Sequence, residues 1–103
     1  MNLVDIFKAL ANTKRLEIIA LLGDPKKYFW KNTCNIINGG VCLKAIESKV
    51  NLSQSTVSHY INILYKANLI TLERIGQWSY CRINYETFSR LNNEINNIIN
   101  LSS

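Results

Sequence analysis

Residues Leu52 to Leu69, LSQSTVSHYINILYKANL, constrain the fold of this chain more than any other stretch. At roughly 100° per residue, Val57, Tyr60, Ile61, Leu64, Ala67 and Asn68 fall on one side of a helix, and Ser55, Ser58, His59, Asn62 and Lys66 on the other. The first side demands a core. The second is short-stemmed, polar and uncharged apart from one lysine, so it can hydrogen-bond a partner as readily as solvent. Ser53 is placed to accept an N–H of the first turn and Leu52 to staple onto Val57, which fixes the angle at which the chain enters the helix.

The flanking sequence supplies further helices. Leu3, Ile6, Phe7 and Leu10 predict an amphipathic first helix ending near Ala11 and Asn12. Asn12 then caps a second helix carrying Leu16, Ile18, Ile19, Leu21 and Leu22, apolar over most of its circumference and therefore central, which stops at Gly23 with Pro25 beyond. From Asp24 to Gly40 the pattern is less regular: Lys26-Lys27, the aromatics Tyr28, Phe29 and Trp30, then Ile36-Ile37 before Asn38-Gly39-Gly40. A short helix closed by those glycines is expected there. Leu43, Ile46 and Val50 define a third helix, and the break at Asn51 leads into the opening segment, giving helix, tight turn and helix.

Beyond Asn68 the period changes. Leu69 to Ile75 is rich in β-formers, Gly76-Gln77 marks a turn, and Trp78 to Ile83 alternates, so a two-stranded hairpin follows. Asn84 caps a last helix whose Phe88, Leu91, Ile95, Ile98 and Ile99 form a narrow stripe that needs a partner surface. The fold class is mainly α with a small β-hairpin wing: five or six helices plus a two-stranded antiparallel wing, in one domain over residues 1–103 with an atypical insert at about 24–40.

The bulk numbers narrow the partners. The net charge is +5, which favours polyanions. Apolar runs fall far short of the roughly 18 residues of a membrane span, and Met1 leads into a polar-interrupted helix, so no membrane partner is expected and a cytoplasmic setting is. Cys34, Cys42 and Cys81 are an odd number with no CxxC spacing, which indicates neither a disulfide scaffold nor a zinc finger.

The segments FKALANTKRLEIIALL, LSQSTVSHYINILYKANLI and ERIGQWSYCRI resemble the three hallmark stretches of the ArsR/SmtB family of small dimeric winged helix-turn-helix repressors. The resemblance covers nearly the whole chain apart from Asp24 to Gly40 and the last turn. SQSTVSH, the exit at Asn68-Leu69-Ile70, and Gly76, Trp78 and Tyr80 occur in the family's order and spacing. It implies a prokaryotic transcriptional repressor whose partners are double-stranded operator DNA and a second copy of itself. The homodimer would join through the first and last helices, at Leu3, Phe7 and Leu10 and at Phe88, Leu91, Ile95, Ile98 and Ile99. Each fourth helix would enter a major groove and each wing would follow the backbone.

On that reading Gln54, Ser55, Ser58 and His59 lie nearest the bases: Gln can engage adenine bidentately, Ser is permissive, and His can donate to guanine or phosphate. Thr56, Asn62 and Lys66 meet the backbone. Lys44 and Lys49, with Lys14 and Arg15, could meet phosphates, and Arg74 and Gln77 in the wing the backbone or minor groove. The competing reading of each is a solvated surface residue, and for Lys14 and Arg15 the two are evenly balanced. Trp78 and Tyr80 are expected to pack beneath the hairpin.

Family members release DNA when an effector binds, often a metal. Their thiolate site uses a Cys-x-Cys pair at the start of the third helix; here Cys42 holds the first position and Lys44 the second, and an ammonium repels a cation. Their other common site draws Asp, His and Glu from the last helices, where this chain has Glu86 and Glu94 and no histidine, His59 being the single one. No metal and no cofactor is expected, and the effector is unknown. Cys34 and Cys42, eight residues apart around a Gly-Gly turn, are a candidate thiol switch through a disulfide or polysulfide bridge. The alternative, a small buried hydrophobe, is the reading for Cys81.

An enzyme lacks its parts here: no Cys-His pair of workable spacing, no Gly-rich phosphate loop and no carboxylate cluster on one face. The other rivals are a winged helix that binds protein, since fold does not fix function, and a DNA-binding protein without effector sensing. The polarity of the Ser55, His59 and Asn62 face and its basic flanks favour DNA.

Overall fold

The computed structural model describes residues 1–29 and 36–100. These form, in order, α1 (Leu3–Leu10), α2 (Thr13–Gly23), α3 (Pro25–Phe29), β1 (Ile36–Ile37), β2 (Gly40–Cys42), α4 (Leu43–Val50), α5 (Gln54–Lys66), β3 (Ile70–Ile75), β4 (Trp78–Ile83) and α6 (Tyr85–Ile99). Asparagine and serine side chains start the main helices. Asn2 Oδ1 accepts the Asp5 N–H at 3.2 Å, Asn12 Oδ1 the Arg15 N–H at 3.0 Å, Ser53 Oγ the Thr56 N–H at 3.3 Å and Asn84 Oδ1 the Thr87 N–H at 3.3 Å. Each satisfies an N–H that the helix cannot pair internally.

The core lies between the helices and one face of the sheet. Ile18 and Leu22 of α2, Ile46 of α4, Val57 and Leu64 of α5, and Leu69 are fully buried. Leu16 departs from the expectation of a central, largely buried α2: it is half exposed.

The sheet is larger than the hairpin expected from sequence. Four antiparallel strands run in the order β1-β2-β4-β3, with Val41 opposite Cys81, Cys42 opposite Tyr80, and Ile75 opposite Trp78 at the wing tip. The two additional strands, β1 and β2, lie at and just beyond the end of the insert expected at about 24–40. The glycines expected to close a helix lie in a hairpin instead: Asn38 (φ 53°) and Gly39 (φ 77°) make the two-residue turn between β1 and β2. Positive φ at both central positions matches the twist of a tight hairpin, a geometry that Asn-Gly adopts with little strain. Trp30 and Cys34 lie outside the described residues.

Candidate nucleic-acid interface

Two left-handed asparagines set the pose of α5. Asn51, at φ 56°, ends α4, and the following Leu52 N–H returns to Glu47 O at 3.3 Å. Asn68, at φ 63°, ends α5, with the Leu69 N–H on Leu64 O at 3.1 Å. Asparagine tolerates this backbone region better than most residues, and both turns satisfy carbonyls at helix ends. Between them, Val57, Ile61 and Leu64 anchor the helix in the core.

The opposite face is polar and open. Gln54, Ser55, Ser58, His59 and Asn62 are exposed, and Thr56 is partly so. Ser53 Oγ lies 2.9 Å from Thr56 Oγ1 and 3.2 Å from Ser55 Oγ, so the helix begins as a linked cluster of hydroxyls. Lys66 stands apart from them. It lines a hollow with Asp5, Ile6, Ala67 and Arg90, about 18 Å along the helix from Gln54 at 1.5 Å per residue.

The basic residues separate into two groups. Lys44 and Lys49 are exposed on α4, with Lys44 Nζ 3.8 Å from Glu47. Lys14 and Arg15, by contrast, are committed within the protein. Lys14 Nζ donates to Val50 O at 2.9 Å and pairs with Glu17 at 3.3 Å, covering the end of α4. Arg15 Nε donates to Ala9 O at 2.6 Å and its Nη2 to Lys8 O at 3.2 Å, while the guanidinium lies 5.3 Å from the centre of the Tyr60 ring. Sequence reasoning left these two evenly balanced, and the geometry gives them a structural task.

The wing projects beyond the short β2. Gly76 (φ 63°) turns it, Arg74 Nε donates to Gly76 O at 3.2 Å, and Gln77 is exposed. Arg82 braces its base by donating to Glu73 at 2.9 Å and Asn38 O at 3.1 Å. Tyr80 is buried as expected. Trp78 is not: it keeps 44% of its surface, because β2 covers β4 only as far as Tyr80.

The first and last helices leave an apolar surface uncovered. Phe7, Ile98 and Ile99 expose 45% to 65% of their surface, and Leu3, Leu10, Phe88 and Ile95 are partly buried. Leu91, expected on the same stripe, is buried at 7% exposure and packs within the protein's own core. Val4, one helical turn before Phe7, joins the open face and was missed.

Among the described residues, no group of three His, Cys, Asp or Glu stands close enough to hold a metal ion. Cys42 is buried at the start of α4, where its side chain makes no capping bond. Cys81 is fully enclosed in β4; burial pushes its thiol up to about 12, with the neighbouring Arg82 charge pulling the other way. No described helix is long and apolar enough to cross a membrane.

A helix, a tight capped turn, a second helix with an open polar face and a β-wing beside it make up a winged helix-turn-helix DNA-binding domain. The sequence model described as "Bacterial regulatory protein, arsR family" matches residues 36–71. The uncharacterized HTH-type transcriptional regulator YbzH of Bacillus subtilis (strain 168) is 38% identical over 92 residues, 88% of this chain and 92% of its own length. The arsenical resistance operon repressor of the same organism is 38% identical over 88 residues, 85% and 71% of the two chains. A homodimeric winged helix-turn-helix DNA-binding domain from Mycobacterium bovis superposes with a TM-score of 0.67 at 26% identity, over 95% of this chain and 78% of that one. The chain belongs to the ArsR family of bacterial transcriptional regulators.

Proposed function

We propose that this regulator is a homodimeric repressor that holds operator DNA with α5 in the major groove, and that its function is regulatory and cytoplasmic rather than enzymatic. The observation that carries the reading is the division of α5: a side anchored by Val57, Ile61 and Leu64, and an exposed polar side of Gln54, Ser55, Ser58 and His59. These four meet the bases. Thr56, Asn62, Lys44, Arg74 and Gln77 meet the backbone around them, and Lys66, at the far end of the helix, reaches at most an outer phosphate.

The second copy covers the open face of α1 and α6. Val4 and Phe7 on α1, and Ile98 and Ile99 on α6, are large apolar side chains left exposed in pairs, and a two-fold dimer buries the same surface from both protomers. Release from DNA belongs to an effector or to thiol chemistry at Cys42 with Cys34.

The test is binding of the DNA upstream of the chain's own gene and of random-sequence duplex across a salt series. A dimer gripping phosphates gives a steep negative slope of log affinity against log salt, with tighter binding to the cognate DNA. A flat response sinks the reading. Phe7→Glu together with Ile98→Glu, followed by sedimentation, tests the dimer: the double variant should be monomeric and bind DNA far more weakly.

A further inference from the structure

A large aromatic residue on a polar nucleic-acid face needs an explanation. Trp78 follows the wing turn and shares a sheet face with Tyr80 and with Cys42 across the ladder, so its indole turns toward the α4 and α5 N-termini. There a hollow of about 300 Å³ opens between the wing and the helix-turn-helix, lined by Trp78, Gln77, Ser79, Lys44, Gln54 and Ser58. The hollow thus joins a base-facing residue, a basic residue and a wing residue in one concavity. Its other charge, Glu47, is already paired with Lys44.

We infer that Trp78 is a DNA contact, with its ring packing on a deoxyribose of the strand that passes between recognition helix and wing, and its indole N–H donating to the adjacent phosphate. The inference rests on the proposed DNA-binding role of α5. Indole supplies what the surrounding residues lack, an extended apolar surface with a single donor at its edge. The hollow excludes a duplex but admits one sugar-phosphate unit, and the lysine and amide groups around the ring suit the flanking phosphates. Such a contact is independent of sequence. It also carries no charge, so it releases no counterions, which separates it from every lysine or arginine on the same face.

The experiment compares the full chain with Trp78→Ala and Trp78→Phe, binding random-sequence duplex and the DNA upstream of its own gene over a salt series. Trp78→Ala should bind both DNAs at least about tenfold more weakly, as truncation of an interface aromatic does, with the salt slope unchanged and the melting temperature close to that of the parent. Trp78→Phe should recover part of the loss. A Trp30→Phe background leaves Trp78 as the single tryptophan, and its emission should shift on addition of DNA. If the parent binds DNA while Trp78→Ala binds equally well, or the Trp78 emission does not change, the contact is refuted and the α5 reading stands. If the parent binds no DNA, the α5 reading itself fails and this contact with it.

Discussion

Replacing Arg15 by Ala separates two roles that the sequence left balanced. In the structure its guanidinium closes the C-terminal end of α1 with bonds of 2.6 Å and 3.2 Å and stacks on Tyr60 of α5, so one side chain ties three helices together. Hydrogen bonds from a charged donor contribute about 1.5–3 kcal/mol each when well shielded, and partial exposure reduces that here; the cation on the ring adds about 0.5–1 kcal/mol. A loss of about 2–3 kcal/mol is therefore expected, or about 10–20 °C in melting temperature for a domain of this size. Arg15→Lys keeps the charge without the forked geometry and should restore about half. The assay is urea unfolding at one fixed protomer concentration, because dimerisation makes stability concentration-dependent. DNA binding by the folded fraction should keep its salt slope. An Arg15→Ala protein as stable as the parent, but with a slope shallower by about one, would place Arg15 on a phosphate and refute the structural account.

Ser53→Ala removes the cap of α5 and should cost about 1 kcal/mol, read from the urea midpoint, with DNA affinity falling further because the same hydroxyl orders Ser55 and Thr56. Lys44→Gln and Arg74→Gln should each lower the magnitude of the salt slope by about one while leaving stability within about 0.5 kcal/mol; an unchanged slope removes that residue from the phosphate contacts. Cys81 gives a pH dependence. Its folded thiol titrates at about 12 against an ordinary 9.0, so the protonated form is favoured in the native state, and its contribution is complete below 9.0 and disappears as pH rises toward 12. The parent should accordingly lose urea resistance over that window more steeply than Cys81→Ala, and equal slopes would count against burial of this thiol.

The helical parts of the fold were legible because each carries its own punctuation. Asn12, Ser53 and Asn84 sit before apolar periodicities and cap as expected. The β1–β2 hairpin was not, since strands of two and three residues offer too little alternation to read; Asn38-Gly39 between Ile37 and Gly40 is the available signal, a tight-turn dipeptide. Trp78 and Tyr80 share a face by the two-residue period, yet only Tyr80 is buried. Where β2 stops decides that, and the length of a pairing strand is set by tertiary contacts. Lys14 and Arg15 show the same limit in charge: composition marks them as basic, and only the position of carbonyls at Val50, Ala9 and Lys8 reveals what they bind. Leu91 likewise fits the α6 stripe by spacing, but a stripe that must feed both a core and a partner surface is divided by depth rather than by period.

The joint between α5 and α6 ties the helix proposed to read DNA to the helix proposed to form the dimer. Asn84, which caps α6, donates from its amide to Asn68 Oδ1 at 3.2 Å, and its backbone N–H donates to Leu69 O at 3.0 Å. The last turn of the recognition helix and the first turn of the terminal helix are thus fastened at the same asparagines, with β3 and β4 closing the loop between them. Leu64 and Leu69 beside this joint are fully buried, so the packing around it is tight. Paired recognition helices must match half-sites about 34 Å apart, so a small rotation of each protomer changes the fit at both. Any ligand that binds one arrangement of the α1 and α6 surfaces more tightly than the other shifts that spacing, and by no more than its difference in affinity.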